Sequence, residues 1–325
     1  MGRAEMENVP TNGPTASNLP TDTTIRLGTR ASALARWQAE WVASRLSEIG
    51  ARVELVFIKT GGDGTTTPIT QSSSQGLFTK EIQRALLDGR VDLAVHSLKD
   101  LPTERVDGLG LAAVPLRESP RDAFISQQAA TFNELPPESR VGTGSRRRQS
   151  QLLHTRPDLR VLDIRGNVET RLQKLDDGEY DAIILAEAGL KRLGLADRIT
   201  QLISPMMMLP AVGQGALGLE TRLDDQRTIA TIKPLDDADT HACVLAERTL
   251  LSALRGGCLA PVGAWGRVEH GKLQLDAVVL SADGKTRLSA RSEGDANAAV
   301  AVGEEAARQL IEQGATELIA GSREG

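Results

Sequence analysis

The sequence predicts an α/β protein made of two lobes and a small α+β C-terminal domain. Strand-like and helix-like segments alternate from Ile25 to about Ala238, which favours parallel or mixed sheets covered by helices. After that point a helix, three strand-like segments and a second helix follow. Two proline-containing segments, residues 115–120 and 204–210, are candidate linkers because proline restricts the backbone. Two linkers predict a chain that leaves a first lobe, builds a second and returns, with a hinged cleft between them.

The first lobe begins with a short alternating strand at residues 25–27. A helix follows, whose apolar residues recur at spacings of three to five between Leu34 and Leu46. Residues 60–76 are rich in glycine, threonine and serine, which predicts a long loop, and a loop of that length favours a mobile lid. The other predicted elements here are strands at 52–58, 91–95 and 109–114 and a helix at 78–88.

The second lobe continues the alternation, and the C-terminal part changes it. Predicted strands of the second lobe lie at 123–126, 140–143, 159–164 and 181–186, with helices after the second and third of them. The C-terminal part is predicted as a helix through Leu254, three strands between Val262 and Ala290, and a helix from Asn297 to about Gln313. Sites in α/β folds lie at the carboxyl ends of strands, where the chain turns into helices.

The predicted organisation divides the chain into a tail and three domains. The 325 residues suit two or three domains. The predicted bounds are a flexible N-terminal tail at 1–24, domain 1 at 25–116 plus 211–236, domain 2 at 117–210, and domain 3 at 237–325.

Composition limits the classes of function. The net charge is −5 and aromatic residues make up 2% of the chain, which argues against nucleic-acid binding through a basic surface or through stacked bases. Residues 1–24 lack the apolar segment of a signal peptide and no stretch is long and apolar enough to span a membrane. We therefore expect a cytoplasmic protein with neither a membrane nor a nucleic-acid partner.

Arginines concentrate between residues 140 and 171. Eight arginines stand there against three acidic residues, in a chain that is acidic overall. Two glycine-containing turns, at residues 142–145 and 165–171, each join a predicted strand to a predicted helix. Backbone N–H groups and arginine forks at such turns favour anions. An internal anion site and a solvated basic helix face are both compatible with these counts, and composition does not distinguish phosphate from carboxylate.

Two further strand ends carry polar residues. Arg30 and Ser32 stand at a strand-to-helix turn and can reach an anion, although Ser32 can equally cap the helix. Residues 95–102 crowd Ser97, Lys99 and Asp100 at the end of an apolar strand. A carboxylate beside an ammonium group can stay ionised or exchange protons with a substrate. A surface turn with a local lysine–aspartate pair is the alternative.

The chain has two cysteines of different character. Cys258 follows two glycines just past a predicted helix, so we expect an accessible thiol suited to a thioether bond or to nucleophilic attack. Cys243 lies within the helical segment and suits a buried structural role. Fifteen residues separate them, without the spacing of a zinc site, and no metal is predicted. Two cysteines cannot form a disulfide framework, which favours a reducing compartment.

Eight motifs in order closely resemble the hydroxymethylbilane synthase family, also called porphobilinogen deaminases. The resemblance covers nearly the whole chain, from residue 25 to about 320, and the motifs are highly specific as a set. They are TRASALARWQ at 29–38, GLFTKE at 76–81, VHSLKD at 95–100, PRDAF at 120–124, VGTGSRRRQ at 141–149, RGNV at 165–168, LPAVGQGA at 209–216 and GGC at 256–258.

The resemblance implies two lobes like those of periplasmic binding proteins, with the active cleft between them, and a third domain that carries the cysteine. It implies a transferase that joins four porphobilinogen molecules head to tail with loss of ammonia and then releases hydroxymethylbilane with water. The implied cofactor is dipyrromethane, held by a thioether to Cys258. The implied partners are porphobilinogen and the growing polypyrrole chain, and the implied oligomeric state is a monomer.

The resemblance also implies roles for single residues. Asp100 matches the catalytic acid. Because each pyrrole ring carries acetate and propionate groups, arginines are expected to bind the carboxylates of the cofactor and chain. The cofactor-binding residues it implies are Arg30, Ser32, Ser97, Lys99, Thr143, Ser145, Arg147, Arg148, Arg165 and Arg171, and the substrate or chain contacts are Gln38, Phe78 and Arg192. A two-lobed protein that only captures an organic anion is the alternative function.

Overall fold

A computed structural model describes residues 24–58, 74–257 and 260–324. It contains two five-stranded sheets and one three-stranded sheet. The predicted fold class, α/β with two lobes and a small α+β C-terminal unit, is confirmed. The predicted tail, apart from Thr24, lies outside the described residues, as do Cys258 and residues 60–73 of the predicted lid.

The first lobe is a mixed sheet with the strand order β2-β1-β3-β10-β4. In this sheet β10 runs antiparallel to both of its neighbours, whereas β2 and β3 run parallel to β1. Its strands are β1 (Thr24–Thr29), β2 (Arg52–Phe57), β3 (Leu93–Ser97), β4 (Leu109–Ala113) and β10 (Leu217–Arg222), and its helices are α1 (Ala33–Glu48), α2 (Ser74–Leu87) and α6 (Gln226–Ile232).

The second lobe has the strand order β7-β6-β8-β5-β9, with β5 antiparallel to its two neighbours. Two apolar clusters lie around this sheet, one including Phe124 and Leu152 and the other including Ile183 and Leu172. Its strands are β5 (Asp122–Ser126), β6 (Arg140–Gly142), β7 (Arg160–Leu162), β8 (Ala182–Ala186) and β9 (Gln201–Ile203), and its helices are α3 (Arg146–Thr155), α4 (Val168–Asp176) and α5 (Glu187–Arg192).

The two lobes share one topology. In the first lobe, β1 lies between β2 and β3, and the antiparallel strand β10 separates β3 from β4. In the second lobe, β6 lies between β7 and β8, and the antiparallel strand β5 separates β8 from β9. The antiparallel strands are β5 and β10, which directly follow the two passages of the chain between the lobes. We call these passages the first crossing (residues 114–121) and the second crossing (residues 204–216).

The two crossings lie against each other. Glu118 N donates a hydrogen bond to Gly215 O at 3.3 Å. Gly215 has φ of +87°, and a Cβ atom there would collide with the backbone carbonyl of Glu118. Only glycine suits both the positive φ and the close approach. The passage between the lobes is therefore a narrow paired segment.

The C-terminal unit is an antiparallel sheet of β11 (Val262–Glu269), β12 (Lys272–Leu280) and β13 (Arg287–Asp295). Its helices are α7 (Ala238–Ala253), α8 (Ala299–Glu312) and α9 (Ala315–Glu324). One apolar cluster joins the sheet and helices and includes Leu250, Leu275 and Leu310, which are fully buried.

Several elements differ from the predicted ones. Helix α2 begins at Ser74, so the last three residues of the predicted lid are helical. Strand β13 extends to Asp295, beyond the predicted limit at Ala290. The structure adds elements that the sequence analysis did not name, which are β9, β10, α5, α6 and α9. Within the described part of the chain, no helix combines the length and apolarity needed to span a membrane.

Candidate functional site

A cavity of about 620 Å³ lies between the two five-stranded lobes. Both lobes contribute side chains to it. Its polar lining comprises Arg30, Ser32, Gln38, Thr79, His96, Ser97, Lys99 and Asp100 from the first lobe and Asn167, Glu169 and Arg171 from the second. The structure thus brings together the polar strand ends that the sequence analysis singled out separately.

Helix α1 frames one wall of the cavity. Ser32 is its N-cap and accepts a hydrogen bond from Ala35 N, so the predicted capping role is confirmed, while the same residue also lines the cavity. Gln38, one and a half turns further along, is buried, and its Nε2 donates to Ser97 Oγ at 2.7 Å. The Gln38 side chain therefore connects α1 to the carboxyl end of β3.

The end of β3 carries the proposed acid and a cation. Leu98–Asp100 form a single 3₁₀ turn, and Lys99 and Asp100 both line the cavity. Burial lowers the pKa of Lys99, and the nearby Asp100 charge only partly opposes this effect. An incoming carboxylate would relieve that unfavourable burial.

Helix α4 starts on the opposite wall. Asn167 caps it, with Oδ1 accepting from Thr170 N at 2.8 Å. Arg171 is half-buried, lines the cavity, and donates from Nε to Gly166 O at 2.9 Å. Burial lowers the pKa of Arg171, and the neighbouring Arg165 charge adds to this. The first turn of α4 thus presents a partly desolvated cation to the cavity.

Arg165 differs from Arg171 in its surroundings. Its side chain is 57% exposed and pairs with Asp163 at 2.7 Å. It is not among the residues that line the cavity. In this structure, binding of a ligand by Arg165 would have to compete with Asp163.

Arg147 and Arg148 bind a partner that the sequence did not predict. Both are buried, and both donate to the carboxylate of Asp122, Arg147 at 2.7 Å and Arg148 at 2.8 Å. Neither lines the cavity. The resemblance implies that both bind carboxylates of the cofactor, which stays a prediction, and in this structure Asp122 supplies the counter-charge that buried guanidinium groups require. Asp122 does not satisfy every polar atom of Arg147, because Arg147 Nε is buried without a hydrogen-bond partner in the described structure.

Asp122 is the site-related residue that sequence reasoning missed. It also accepts from Gln214 Nε2 at 2.9 Å, which connects it to the second crossing. Burial alone would raise its pKa, but the charges and hydrogen bonds of Arg147 and Arg148 outweigh burial and hold the pKa well below its usual range. The available signal was an aspartate at the start of the apolar strand within the PRDAF motif.

Thr143 and Ser145 mainly organise backbone. Thr143 is buried, and its Oγ1 accepts from Ser145 N at 3.2 Å. Ser145 is the N-cap of α3 and accepts from Arg148 N. Their placement shapes the turn that starts the arginine helix, and neither residue lines the cavity.

Arg192 lies at the passage between the lobes. Its guanidinium donates to Gly215 O at 2.7 Å and lies 5.8 Å from the centre of the Trp37 ring. Burial lowers its pKa to about 10. Arg192 therefore connects α5 of the second lobe to α1 and to the second crossing, beside the cavity.

His96 is a second residue that the site assignment left out. It lines the cavity, and its Nε2 lies 2.9 Å from Oε2 of Glu220. Gln83 donates to the other carboxylate oxygen of Glu220 at 2.9 Å. This buried trio joins β3, β10 and α2 behind the cavity wall.

Two predicted site residues cannot be placed by their side chains. Cys258 lies outside the described residues, as does the side chain of Phe78, whose backbone is part of α2. The described residues before Cys258 form a tight turn, with φ of +50° at Arg255 and +61° at Gly257. Cys243, by contrast, is buried in α7, and burial raises its pKa to about 12. Cys243 is therefore a poor nucleophile, in line with its predicted structural role.

Two family models match the chain. The one described as "Porphobilinogen deaminase, dipyromethane cofactor binding domain" matches residues 25–230, and the one described as "Porphobilinogen deaminase, C-terminal domain" matches residues 241–312. A porphobilinogen deaminase of Trichlorobacter lovleyi is 51% identical over 293 residues, covering 89% of this chain and 94% of the relative. A porphobilinogen deaminase of Desulforudis audaxviator is 49% identical over 304 residues, covering 93% of this chain and 98% of the relative.

Among solved structures, similarity extends to a periplasmic substrate-binding protein of an ABC transporter from Coxiella burnetii. That likeness has a TM-score of 0.41 at 14% identity and covers 65% of this chain and 91% of the other.

Proposed function

The chain belongs to the porphobilinogen deaminase family, and on this premise we propose that it joins four porphobilinogen molecules head to tail, with loss of one ammonia per addition, and releases linear hydroxymethylbilane by hydrolysis. The observation that carries this proposal is the cavity between the lobes. It combines the Asp100 carboxylate with the cations Arg30, Lys99 and Arg171. A reaction that lengthens a polycarboxylate needs cations that bind the carboxylates and an acid that transfers protons.

The residues of the cavity fit a dipyrromethane cofactor. Two pyrrole rings bear four carboxylates, and the cavity offers cations together with the neutral polar groups of Ser32, Gln38 and Ser97. Lys99 and Arg171 are partly desolvated, with pKa values lowered by burial, so pairing with carboxylates would stabilise their charged forms. When bound, the cofactor supplies the primer to which substrate units are added.

We assign the covalent attachment to Cys258 and not to Cys243. The thiol of Cys243 is buried, and its raised pKa keeps it protonated at neutral pH. Cys258 follows a glycine turn at the end of α7. Glycine at 256 and 257 allows the chain to turn sharply there, as a tethering position requires.

Asp100 is the proposed catalytic residue. Its side chain lines the cavity at the end of β3, beside the Lys99 cation. Positive charge develops on the substrate ring as ammonia leaves, and a nearby carboxylate stabilises that charge. The same carboxylate can hold and return the proton of a pyrrole nitrogen.

The other proposed residues divide by what they contact. Arg30 and Arg171, with Lys99, face the cavity and bind carboxylates directly. Arg147 and Arg148 lie behind them on Asp122, and their net positive charge adds to the attraction for an anion. The remaining proposed contacts are Arg165 at the exposed edge of the cleft, Thr143 and Ser145 at the start of α3, Arg192 at the crossings, and Gln38 and Phe78 towards substrate or chain.

Further proposals concern the whole molecule. Three sheets support the domain bounds 25–116 plus 211–236, 117–210 and 237–325, with residues 1–24 as a flexible tail. The acidic net charge supports a protein that does not bind nucleic acid. We propose that it acts in the cytoplasm as a monomer.

Purified protein incubated with porphobilinogen tests the function. The proposal expects four ammonia molecules released per hydroxymethylbilane formed. The alternative, a two-lobed protein that only captures an organic anion, predicts saturable binding of porphobilinogen without ammonia release. That second outcome would overturn the enzymatic proposal.

A further inference from the structure

One face of helix α7 contacts the turn that carries Lys99 and Asp100. Val244 is fully buried in a cluster with Leu98 and Leu101. Arg248, one turn further along the same helix face, donates from Nη1 to Leu101 O at 2.9 Å and from Nη2 to Pro102 O at 2.7 Å. A single guanidinium thus binds two successive carbonyl groups directly after Asp100.

The turn depends on such external contacts. It is one 3₁₀ turn with a single internal bond, from Leu101 N to Leu98 O at 3.2 Å. Its other backbone anchor is Leu98 N, which donates to Ala216 O at 3.0 Å. Pro102 has no N–H to donate, so its position depends on its carbonyl and its ring. Within the described part of the chain, the Arg248 fork therefore supplies two polar restraints on the C-terminal side of Asp100.

The neighbouring residue fixes α7 itself. Glu247 is fully buried and pairs with Arg117 of the first crossing at 2.7 Å. It also accepts from Gly213 N of the second crossing at 2.7 Å and from Gly266 N of β11 at 2.9 Å. Because Glu247 fixes α7 to both crossings and to the C-terminal sheet, the Arg248 fork starts from a rigid support.

We propose that Arg248 is a positioning residue that sets the place of the Asp100 carboxylate relative to the C-terminal unit. This inference rests on the proposed catalytic role of Asp100. Helix α7 ends at Ala253, a few residues before Cys258 in sequence. One helix thereby determines both where the tethering loop starts and where the catalytic turn lies.

Replacing Arg248 tests the proposal. For Arg248→Met we expect kcat to fall about 10- to 100-fold, because small displacements of a catalytic group carry costs of that order. KM for porphobilinogen should change much less, and intact mass should show full cofactor loading. Arg248→Lys keeps the charge and can reach one carbonyl, so it should recover part of kcat, and it serves as the test if Arg248→Met does not fold. Arg308→Met removes an exposed arginine from α8 of the same unit and is the matched control.

The outcomes separate the two proposals. A folded, loaded Arg248→Met enzyme with the wild-type kcat would overturn the positioning role, and so would equal losses in kcat for Arg248→Lys and Arg248→Met. Wild-type activity in Asp100→Asn would instead overturn the proposed function of Asp100. A selective fall in kcat with partial recovery by lysine would support the positioning role.

Discussion

The carboxylate of Asp122 and the guanidinium of Arg147 form a buried ion pair at 2.7 Å, with Arg148 on the same carboxylate. Part of the arginine-rich segment is therefore bound by an acid of the same lobe. Two of its cations are held inside the second lobe by one acid on β5. Gln214 donates to the same acid, so the cluster also meets the passage between the lobes.

Asp122→Asn is expected to lower the free energy of unfolding by about 3–5 kcal/mol, because it leaves two buried guanidinium groups without their counter-charge. Chemical denaturation at pH 7 measures this. Asp88→Asn, at a half-exposed aspartate that forms surface ion pairs with Arg84 and Arg90, is the control and should change the free energy of unfolding by less than about 1 kcal/mol. Equal losses in the two variants would contradict the importance of the cluster.

The stability difference between wild type and Asp122→Asn should depend on pH. The folded-state pKa of Asp122 lies below its ordinary value, so its contribution to stability is fully present above the unfolded-state pKa of about 4 and is lost as the pH falls towards the folded-state value. Since the asparagine side chain of the variant does not titrate, the gap in free energy of unfolding between wild type and variant should narrow below about pH 4. A gap that stays constant down to about pH 2.5 would show that Asp122 is not held in its charged form.

Asp100→Asn should retain the fold and the covalent cofactor but lower kcat by at least about 100-fold, since the variant keeps the shape of the side chain and loses its charge and proton affinity. Steady-state ammonia release measures kcat. Asp107→Asn, at an exposed aspartate in the following loop, is the matched control. A rate within about threefold of wild type for Asp100→Asn would refute the assignment.

Arg171→Leu should stall elongation more strongly than Arg165→Leu. Arg171 lines the cavity, whereas Arg165 is exposed and paired with Asp163. Loss of a charge-assisted bond to a carboxylate costs about 1.5–3 kcal/mol, so turnover of Arg171→Leu should fall about tenfold or more, with partly extended chains on the enzyme. Mass spectrometry of the enzyme during turnover counts the added units. The same distribution of intermediates in wild type and Arg171→Leu would contradict direct contact with the chain.

Local sequence patterns were sufficient to predict much of the fold. Helix α1 follows from its apolar spacing, and its start follows from Ser32 as a cap. Strand β10 was missed because five of its six residues are buried, and a strand buried on both faces lacks the alternation that identifies a half-exposed strand. Its Glu220 also makes the segment look solvent-exposed, although the structure pairs that residue with His96.

The motifs identified most of the polar residues that line the cavity. They did not predict which partners the charged residues bind. Lys99 and Arg171 face the cavity from turns that the sequence identified. The pairing of Arg148 with Asp122 joins residues 26 positions apart and depends on where β5 inserts in the second sheet. The contact of Arg248 with Leu101 spans 147 positions. Only the packed molecule shows such contacts.

Intact-mass spectrometry of denatured protein, expressed in cells that make porphobilinogen, tests the central claim most directly. Wild type and Cys243→Ser are expected to carry the added mass of a dipyrrole, whereas Cys258→Ser is expected at the mass of its bare chain. Wild-type protein at its bare mass, or Cys258→Ser with the dipyrrole still attached, would contradict the account.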